Sequence, residues 1–148
     1  MMEEVLKRLR VLANSPSRRA EKAGAVAQVI KMARAYRWVG LYDVTPTEVV
    51  AIAWTGSEPP AHPRFPITKG LSGAAVETRE PVIVQDVTID PRYLTAFGST
   101  GAEAIFPVAV DGRVVGTIDV ESDRINAFGP DDEEFLKTCA LLLTPLWM

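Results

Sequence analysis

Two acidic residues near the end of one predicted strand have a spacing that could place two charges in one site. Asp119 and Glu121 lie two positions apart within residues 113–122. Because successive side chains of a strand point to opposite faces, both carboxylates are expected on the same face of a sheet. Carboxylates that converge on one face repel each other unless a cation is bound or one of them takes a proton. The residues alone leave an alternative open, in which both acids face solvent or pair with Arg113 or Arg124.

Cys139 and His62 are the chain's single cysteine and single histidine. A single cysteine excludes an internal disulfide and an all-cysteine metal site. The spacing of Cys139 from Phe135 and Leu142 places it on the apolar stripe of the last predicted helix, which predicts a buried core residue. His62 lies instead in a proline-rich loop, where it either lines a pocket or is solvated.

Four aromatic residues at strand intervals could form the wall of a small-molecule pocket: Trp38, Tyr42, Trp54 and Phe106. Aromatic residues on strands belong to the core more often than to a ligand cage. We select Trp54 and Tyr42 as candidate ligand contacts. Residues 68–70 lack the full glycine and lysine pattern of a phosphate loop, so no phosphate site is predicted there.

Hydrophobic periodicity predicts helices at both ends of the chain. Residues 2–35 are expected to form two helices, the second starting after the Ser15-Pro16 pair, and the last helix is predicted over 130–146. Residues 37–122 are expected to hold a sheet and its pocket loops. Strands are predicted at 38–44, 48–54, 81–85, 103–110 and 113–122, with a short helix at 71–78 and a helical turn at 91–96.

The connections between the predicted strands are equally informative. Asp111-Gly112 favours the tight turn of a hairpin, and four prolines exclude residues 56–66 as a central strand. The long irregular stretches at 56–80 and 86–101 are available to cover a pocket. The pattern predicts an α+β fold with a central antiparallel sheet of about five or six strands.

Composition limits the classes of function. The chain has 148 residues, 47% of them hydrophobic and 24% charged, which predicts a single folded domain over residues 1–148. A net charge of −3 without a basic stripe argues against nucleic acid as a partner. No apolar run is long enough to span a membrane and the start lacks a signal-peptide pattern, so we expect a cytoplasmic protein with no membrane partner.

Segments along nearly the whole chain carry a family pattern. They are Tyr36-x-Trp38-Val39-Gly40-Leu41-Tyr42, Phe65-Pro66-x-x-Lys69-Gly70-Leu71-Ser72-Gly73, Pro81-Val82-Ile83-Val84-x-Asp86-Val87, Pro107-Val108, Val114-Val115-Gly116-Thr117-Ile118-Asp119-Val120-Glu121-Ser122 and Phe128-x-x-x-Asp132. Together they resemble a GAF domain, and within that family the free methionine-R-sulfoxide reductases. The resemblance implies a sheet with the terminal helices on one face, and loops and short helices enclosing a pocket on the other.

The resemblance also implies a ligand site. In the reductases, carboxylates on the pocket floor hold the ammonium group of the substrate, and the matching positions here are Glu103, Asp119 and Glu121. An amine-bearing ligand would relieve the repulsion among them. The three cysteines that surround the pocket in that family match His62, Ser72 and Ala96, none of which is a thiol.

The missing thiols weaken the enzyme interpretation. Sulfoxide reduction needs one cysteine to attack sulfur and a second to resolve the sulfenic acid. We therefore predict a small-molecule-binding sensor or regulatory module for an amino acid or other amine, with no catalytic residue, cofactor or metal. Ser72 and His62 remain candidate ligand contacts. Two alternatives stay open, a divergent reductase and a dimerisation module without ligand, and a homodimer through the terminal helices is compatible with all three.

Overall fold

The structure is a computed structural model that describes residues 2–95 and 97–148. Its helices are α1 (Met2–Ala13), α2 (Arg19–Ala33), α3 (Gly70–Thr78) and α4 (Pro130–Leu142). Its strands are β1 (Trp38–Val44), β2 (Glu48–Thr55), β3 (Arg64–Pro66), β4 (Val82–Val84), β5 (Ala102–Val110) and β6 (Arg113–Ser122). Short 3-10 turns lie at Val87–Ile89 and Thr144–Trp147.

The six strands form one sheet in the order β3-β2-β1-β6-β5-β4, with every neighbouring pair antiparallel. The α+β class and the six-stranded antiparallel sheet confirm the prediction. Asp111 and Gly112 connect β5 to β6 with φ values of 53° and 75°, the positive values that a tight hairpin turn requires. The proline-rich segment contributes only the edge strand β3, where a missing backbone donor is tolerated.

The two faces of the sheet have different roles because side chains alternate along each strand. Ile118 and Val120 of β6 point into a core that α1, α2 and α4 cover, and Phe106 of β5 lies in the same core. Thr117, Asp119 and Glu121 alternate with these residues along β6, so their side chains point to the other face of the sheet. The terminal helices therefore occupy one face of the sheet, as predicted, and leave the other face for the site.

The predicted start of α2 and the predicted end of α4 are wrong. Helix α2 begins at Arg19 rather than after Ser15, because the Ser15 N–H bonds to the Leu12 carbonyl and extends the end of α1. Helix α4 ends at Leu142 rather than 146, since Pro145 has no N–H to continue an α-helix and residues 144–147 form a 3-10 turn.

The helical turn predicted at 91–96 is absent from residues 91–95, and position 96 lies outside the described residues. A 3-10 turn at Val87–Ile89 forms instead, with the Asp86 carboxylate accepting a hydrogen bond from the Thr88 N–H. This is a side-chain cap of the kind that aspartate favours.

Asp132, the last residue of the Phe128-x-x-x-Asp132 segment, has a structural role. Its carboxylate accepts hydrogen bonds from the Tyr36 hydroxyl at 2.6 Å, from Arg34 Nε at 2.6 Å and from the Gly129 N–H at 2.9 Å. Burial opposes ionisation, but these donors outweigh it, so the pKa of Asp132 is lowered. The interaction fixes the start of α4 against the end of α2.

Among the helices of the described residues, none combines the length and the apolar character needed to cross a membrane.

Candidate functional site

A small cavity lies on the sheet face opposite the terminal helices. Its volume is about 30 Å³, and one water molecule needs roughly 10 to 15 Å³ on this measure. The floor comes from β1, β5 and β6, and the roof comes from the first turn of α3 and from loop residues. The lining residues are Trp38, Tyr42, Pro60, Ala61, His62, Phe65, Gly70, Leu71, Ser72, Leu94, Glu103, Asp119 and Glu121.

Three carboxylates meet on the cavity floor. Glu103 of β5 is the register partner of Glu121 of β6, so the two side chains share a face, and Asp119 lies two positions before Glu121 on that same face. Each carboxylate offers an oxygen that lies within 4.8 Å of an oxygen from each of the other two. Their exposed fractions are 6%, 7% and 1% for Glu103, Asp119 and Glu121. The structure thus brings together the three acids that the sequence predicts.

Neutral donors only partly satisfy these carboxylates. Glu121 accepts a hydrogen bond from the Thr100 hydroxyl at 2.7 Å and from the Tyr93 hydroxyl at 3.4 Å. Glu103 and Asp119 offer oxygens within 4.8 Å of each other, and no hydrogen-bond donor to Glu103 is found among the described side chains. Asp119 Oδ1 is buried and receives no donor from the described part of the chain. A buried oxygen of this kind is an acceptor available to a ligand.

Burial dominates the electrostatics of the three acids. It raises the pKa of Asp119 to about 6. Burial and then the charge of Asp119 raise the pKa of Glu121 to about 8, against the opposing hydrogen bonds from Thr100 and Tyr93. Burial, with the neighbouring Asp119 and Glu121, raises the pKa of Glu103 well above its usual range. Without a bound cation, the site therefore disfavours three negative charges.

Basic side chains do not compensate this acidity with ion pairs. Within residues 2–95 and 97–148, no arginine or lysine forms a salt bridge with the three acids, so the pairing with Arg113 or Arg124 that the sequence left open is not formed. Arg37 acts on Glu121 only through its field. Its guanidinium lies 5.3 Å from the centroid of the Phe97 ring, and its buried Nη1 has no hydrogen-bond partner among the described residues.

Aromatic rings form one wall of the cavity. Tyr42 lines it, as the sequence predicts, together with Trp38 and Phe65. The Trp38 ring packs 5.5 Å from Phe97, and the Tyr42 ring packs 6.1 Å from Phe65, measured between centroids. Both Trp38 and Tyr42 are buried. They can contact the apolar part of a ligand whose charged group lies on the floor.

Trp54 is not brought into the cavity. Trp54 of β2 pairs with Gly40 of β1, which places it on the same sheet face as Trp38. However, Trp54 is 38% exposed and does not line the cavity. Trp38 takes the position that we expected for Trp54. The spacing of Trp38 and Tyr42 on one strand indicates that both rings point to the same sheet face. The sequence does not show which tryptophan, Trp38 or Trp54, the loops cover.

The roof contains the other two predicted contacts. Ser72 lies in the first turn of α3 and is buried at the cavity, while His62 is exposed, lines the cavity edge and places Nε2 3.2 Å from the Thr95 carbonyl oxygen. Helix α3 is held over this face because Leu71 and Ala75 pack with Ile105 of β5 in a separate apolar cluster. The first turn of α3, from Gly70 to Ser72, thus borders the cavity.

Cys139 lies far from this chemistry. It belongs to the core between α4 and the sheet, on the face opposite the cavity, and is fully buried. Burial raises the pKa of its thiol to about 12. The prediction of a buried core cysteine is confirmed, and such a thiol is a poor nucleophile. Ala96, the third position that the resemblance matches to a cysteine, lies outside the described residues.

Sequence reasoning missed Arg37, Tyr93 and Thr100, which surround Glu121. Tyr93 and Thr100 lie in an irregular segment without periodicity, so no local pattern indicated that they reach β6. Arg37 precedes β1 directly, and its proximity to Glu121 follows from the pairing of Trp38 with Glu121 across the two strands.

Comparisons with known proteins agree with this architecture. A family model described as a GAF domain matches residues 17–144. The chain is 28% identical over 142 residues to GAF domain-containing protein A of Dictyostelium discoideum, covering 95% of this chain and 89% of that protein. It is also similar to the type II free methionine-R-sulfoxide reductase of Thermoplasma acidophilum, with a TM-score of 0.83 and 32% identity over 93% of this chain and 94% of that one.

A further similar structure is the free methionine-R-sulfoxide reductase of Neisseria meningitidis in complex with its substrate. It has a TM-score of 0.89 and 26% identity, covering 99% of this chain and 87% of that one. The reductases share the fold with this chain, whose only cysteine is buried away from the cavity. With a matching family model over most of its length and a six-stranded sheet that carries a covered pocket, the chain belongs to the GAF domain family.

Proposed function

We propose that this GAF domain is a sensor or regulatory module that binds a small molecule through an ammonium group and performs no redox catalysis. The observation that carries the proposal is the convergence of Glu103, Asp119 and Glu121 on the floor of a cavity. Their oxygens lie within 4.8 Å of one another, and one oxygen of Asp119 has no donor in the part of the chain described.

An ammonium group fits this floor chemically. It carries a positive charge and several N–H donors, and the floor offers three acidic acceptors. Buried carboxylates cost several kcal/mol each when they are ionised without a partner, so a cation among them offsets an unfavourable interaction of the empty protein. Charge-assisted hydrogen bonds of this kind are roughly twice as strong as neutral ones.

The opposite side of the cavity suits a negative group. The first turn of α3, from Gly70 to Ser72, lines it, and helix N-termini favour anions through their free N–H groups and dipole. A ligand with an ammonium group at one end and a carboxylate nearby, as in a free amino acid, matches both sides. One similar solved structure is a free methionine-R-sulfoxide reductase in complex with its substrate. Free amino acids are therefore the first class of ligand to test.

Ligand entry requires the roof to move outward. The cavity of about 30 Å³ has room for an ammonium group and not for a whole amino acid. The polar contacts that hold the described part of the roof include Trp38 Nε1 to the Glu58 carbonyl at 3.0 Å and His62 to the Thr95 carbonyl. Loops over a rigid sheet are the segments expected to adapt to a ligand.

A thermal-shift screen tests the proposal. The purified protein is melted with each free amino acid, with methionine sulfoxide and with cyclic nucleotides. An amine at 100 times its dissociation constant is expected to add roughly 2.7 kcal/mol of stability, on the order of 5 to 10 °C in Tm. Glu103→Gln is expected to abolish this shift because it removes an acceptor charge from the floor, whereas the exposed Glu80→Gln is expected to keep it.

The outcome also decides between sensing and a purely structural role. If no amine shifts the Tm and Glu103→Gln itself lowers the stability of the empty protein, the acids support the fold and the domain serves as a dimerisation scaffold. A cyclic nucleotide that shifts the Tm equally in the wild type and in Glu103→Gln would contradict the amine site.

The reductase alternative makes a separate prediction. Cys139 is fully buried behind the sheet, with its thiol pKa raised to about 12 by burial, so we expect no thiol-dependent reduction of methionine sulfoxide. With dithiothreitol or thioredoxin as reductant, the rate of methionine sulfoxide reduction by the wild type should equal the rate with Cys139→Ala and the rate in buffer without protein. Activity that Cys139→Ala removes while the variant remains folded would overturn this prediction and restore the enzyme.

A further inference from the structure

We propose that the three-acid floor is a proton exchanger, in which the empty site holds at least one proton among Glu103, Asp119 and Glu121 and binding of a cation expels it. The inference rests on the proposed function, since it concerns how the amine-binding site is filled and emptied. It makes ligand affinity depend on pH over the physiological range, a regulation of the site beyond binding itself.

The closeness of Glu103 and Asp119 favours a proton held between them. Each carboxyl group offers an oxygen within 4.8 Å of the other's, and both side chains are buried. Ionised carboxylates only accept hydrogen bonds, so the two groups can bond to each other only when one of them is protonated. Two carboxyl groups that share a buried site hold one proton more tightly than either would alone.

Among the residues that the structure describes, none forms an ion pair with the acids that would replace this proton. From β1, Tyr42 faces the acids, and burial raises its pKa, so its phenol stays neutral. From the roof, the hydroxyl groups of Tyr93 and Thr100 donate to Glu121, and His62 lies at the cavity edge. Arg37 acts on Glu121 through its field without an ion pair.

The third acid keeps the cluster protonated near neutral pH. Burial raises the pKa of Glu121 to about 8 and that of Asp119 to about 6, and the pKa of Glu103 also lies well above its usual range. Glu103 and Glu121 are register partners on neighbouring strands, so the sheet itself keeps their side chains side by side.

An arriving ammonium group competes for the same oxygens. Its N–H donors need acceptor lone pairs, and a protonated carboxyl group both donates and lacks charge, so the bound state favours ionised acids. The proton therefore leaves when the cation enters. For each proton released, affinity should rise up to tenfold per pH unit until the empty site has lost its proton.

Two measurements test the exchange. Carbon-13 NMR of labelled aspartate and glutamate carboxyl groups in the empty protein should find a carboxyl that is still protonated at pH 7. Glu103→Gln should hold at least one proton fewer, and Glu80→Gln should match the wild type. Calorimetry then measures binding in buffers of different ionisation enthalpy at pH 6, 7 and 8.

The calorimetric probes are methionine sulfoxide, the amino acid with the largest shift in the thermal screen, and methylammonium chloride as the minimal cation. Their amines stay protonated across the range. All titrations are repeated in Glu80→Gln, which removes an exposed carboxylate outside the cavity and leaves the three acids in place. We expect release of about one proton per bound cation and an affinity gain of roughly 10-fold or more between pH 6 and pH 8 in both proteins.

The outcomes separate the two proposals. Binding without proton release, or with an affinity that does not change with pH, overturns the exchange and leaves the amine site standing. An empty protein with no protonated carboxyl at pH 7 overturns the exchange before any ligand is added. If no amine binds at any pH, the proposed function fails and the exchange fails with it.

Discussion

The Asp119→Asn variant is expected to unfold at a higher denaturant concentration than the wild type at pH 8 when no ligand is present, and to bind amines much more weakly. Asparagine removes a buried acid that has no donor for Oδ1 among the described residues, and its amide can donate to Glu103. The expected gain is on the order of 1 to 2 kcal/mol. The expected loss of affinity is roughly 30-fold or more, because one partner of a buried charge pair is removed.

The sign of the pH dependence follows from the direction of the shifts. Burial raises the pKa of Asp119 to about 6 and of Glu121 to about 8, so the folded protein keeps protons that the unfolded chain releases from about pH 4 upward. Wild-type stability therefore falls as the pH rises through this window. The variant has no proton to lose at position 119, so its stability should fall less steeply and its advantage should grow with pH.

Urea unfolding at pH 5.5, 7 and 8 measures this difference, and the thermal screen measures ligand binding in the same preparations. Glu80→Gln is the matched control, since it removes one carboxylate from an exposed position. A variant that is less stable than wild type at pH 8 would mean that Asp119 supports the fold, and it would remove the reason for assigning the floor to a ligand.

The opposed effects of this substitution distinguish a binding site from a structural cluster. Asp132 is the structural counterpart within the same chain: its three donors lower its pKa, and they account for the burial of its carboxylate. Asp119 Oδ1, in contrast, has no donor among the described residues, and burial raises the pKa values of Asp119 and Glu103. Acids that destabilise the empty protein persist where function requires them.

The floor of the site could be predicted because it depends on the period of two strands. Asp119 and Glu121 share a face by their spacing alone, and the Asp111-Gly112 turn aligns β5 with β6 so that Glu103 faces Glu121. The resemblance to a GAF domain added Glu103 to the pair. Local rules suffice here because the hairpin closes over a short separation in sequence.

The wall and the roof could not be predicted in the same way. Trp38 and Trp54 both lie on strands with the pocket phase, but only Trp38 is enclosed, since Phe97 packs against it and the Glu58 carbonyl accepts its indole N–H. Both partners lie in irregular segments, Glu58 about 20 residues and Phe97 about 59 residues from Trp38 along the chain. A shift in register between Leu41 and Tyr42 further changes how β2 lies beside β1. Such features depend on contacts for which the sequence has no periodic signal.

The Gly40→Ala substitution is expected to cause a large loss of stability, because it adds a methyl group beneath the aromatic wall of the cavity. A Cβ at Gly40 would lie within 3 Å of the Trp38 and Tyr42 rings, and both rings are buried. The rings or β1 must move, at a cost of roughly 2 to 3 kcal/mol. The backbone of Gly40 does not require a positive φ, so the loss would come from the ring contacts. Because the same rings form the wall of the cavity, affinity for an amine should fall as well.

Gly24→Ala is the matched control for this prediction. Gly24 lies within α2, and no atom lies within 4 Å of a Cβ added there, so alanine should stabilise the protein by roughly 0.5 to 1 kcal/mol through its helix propensity. Chemical denaturation of the two variants should therefore give changes of opposite sign, with ligand binding retained only in Gly24→Ala. Equal stability of Gly40→Ala and the wild type would contradict the packing of Trp38 and Tyr42 over Gly40, and with it the aromatic wall that encloses the three acids.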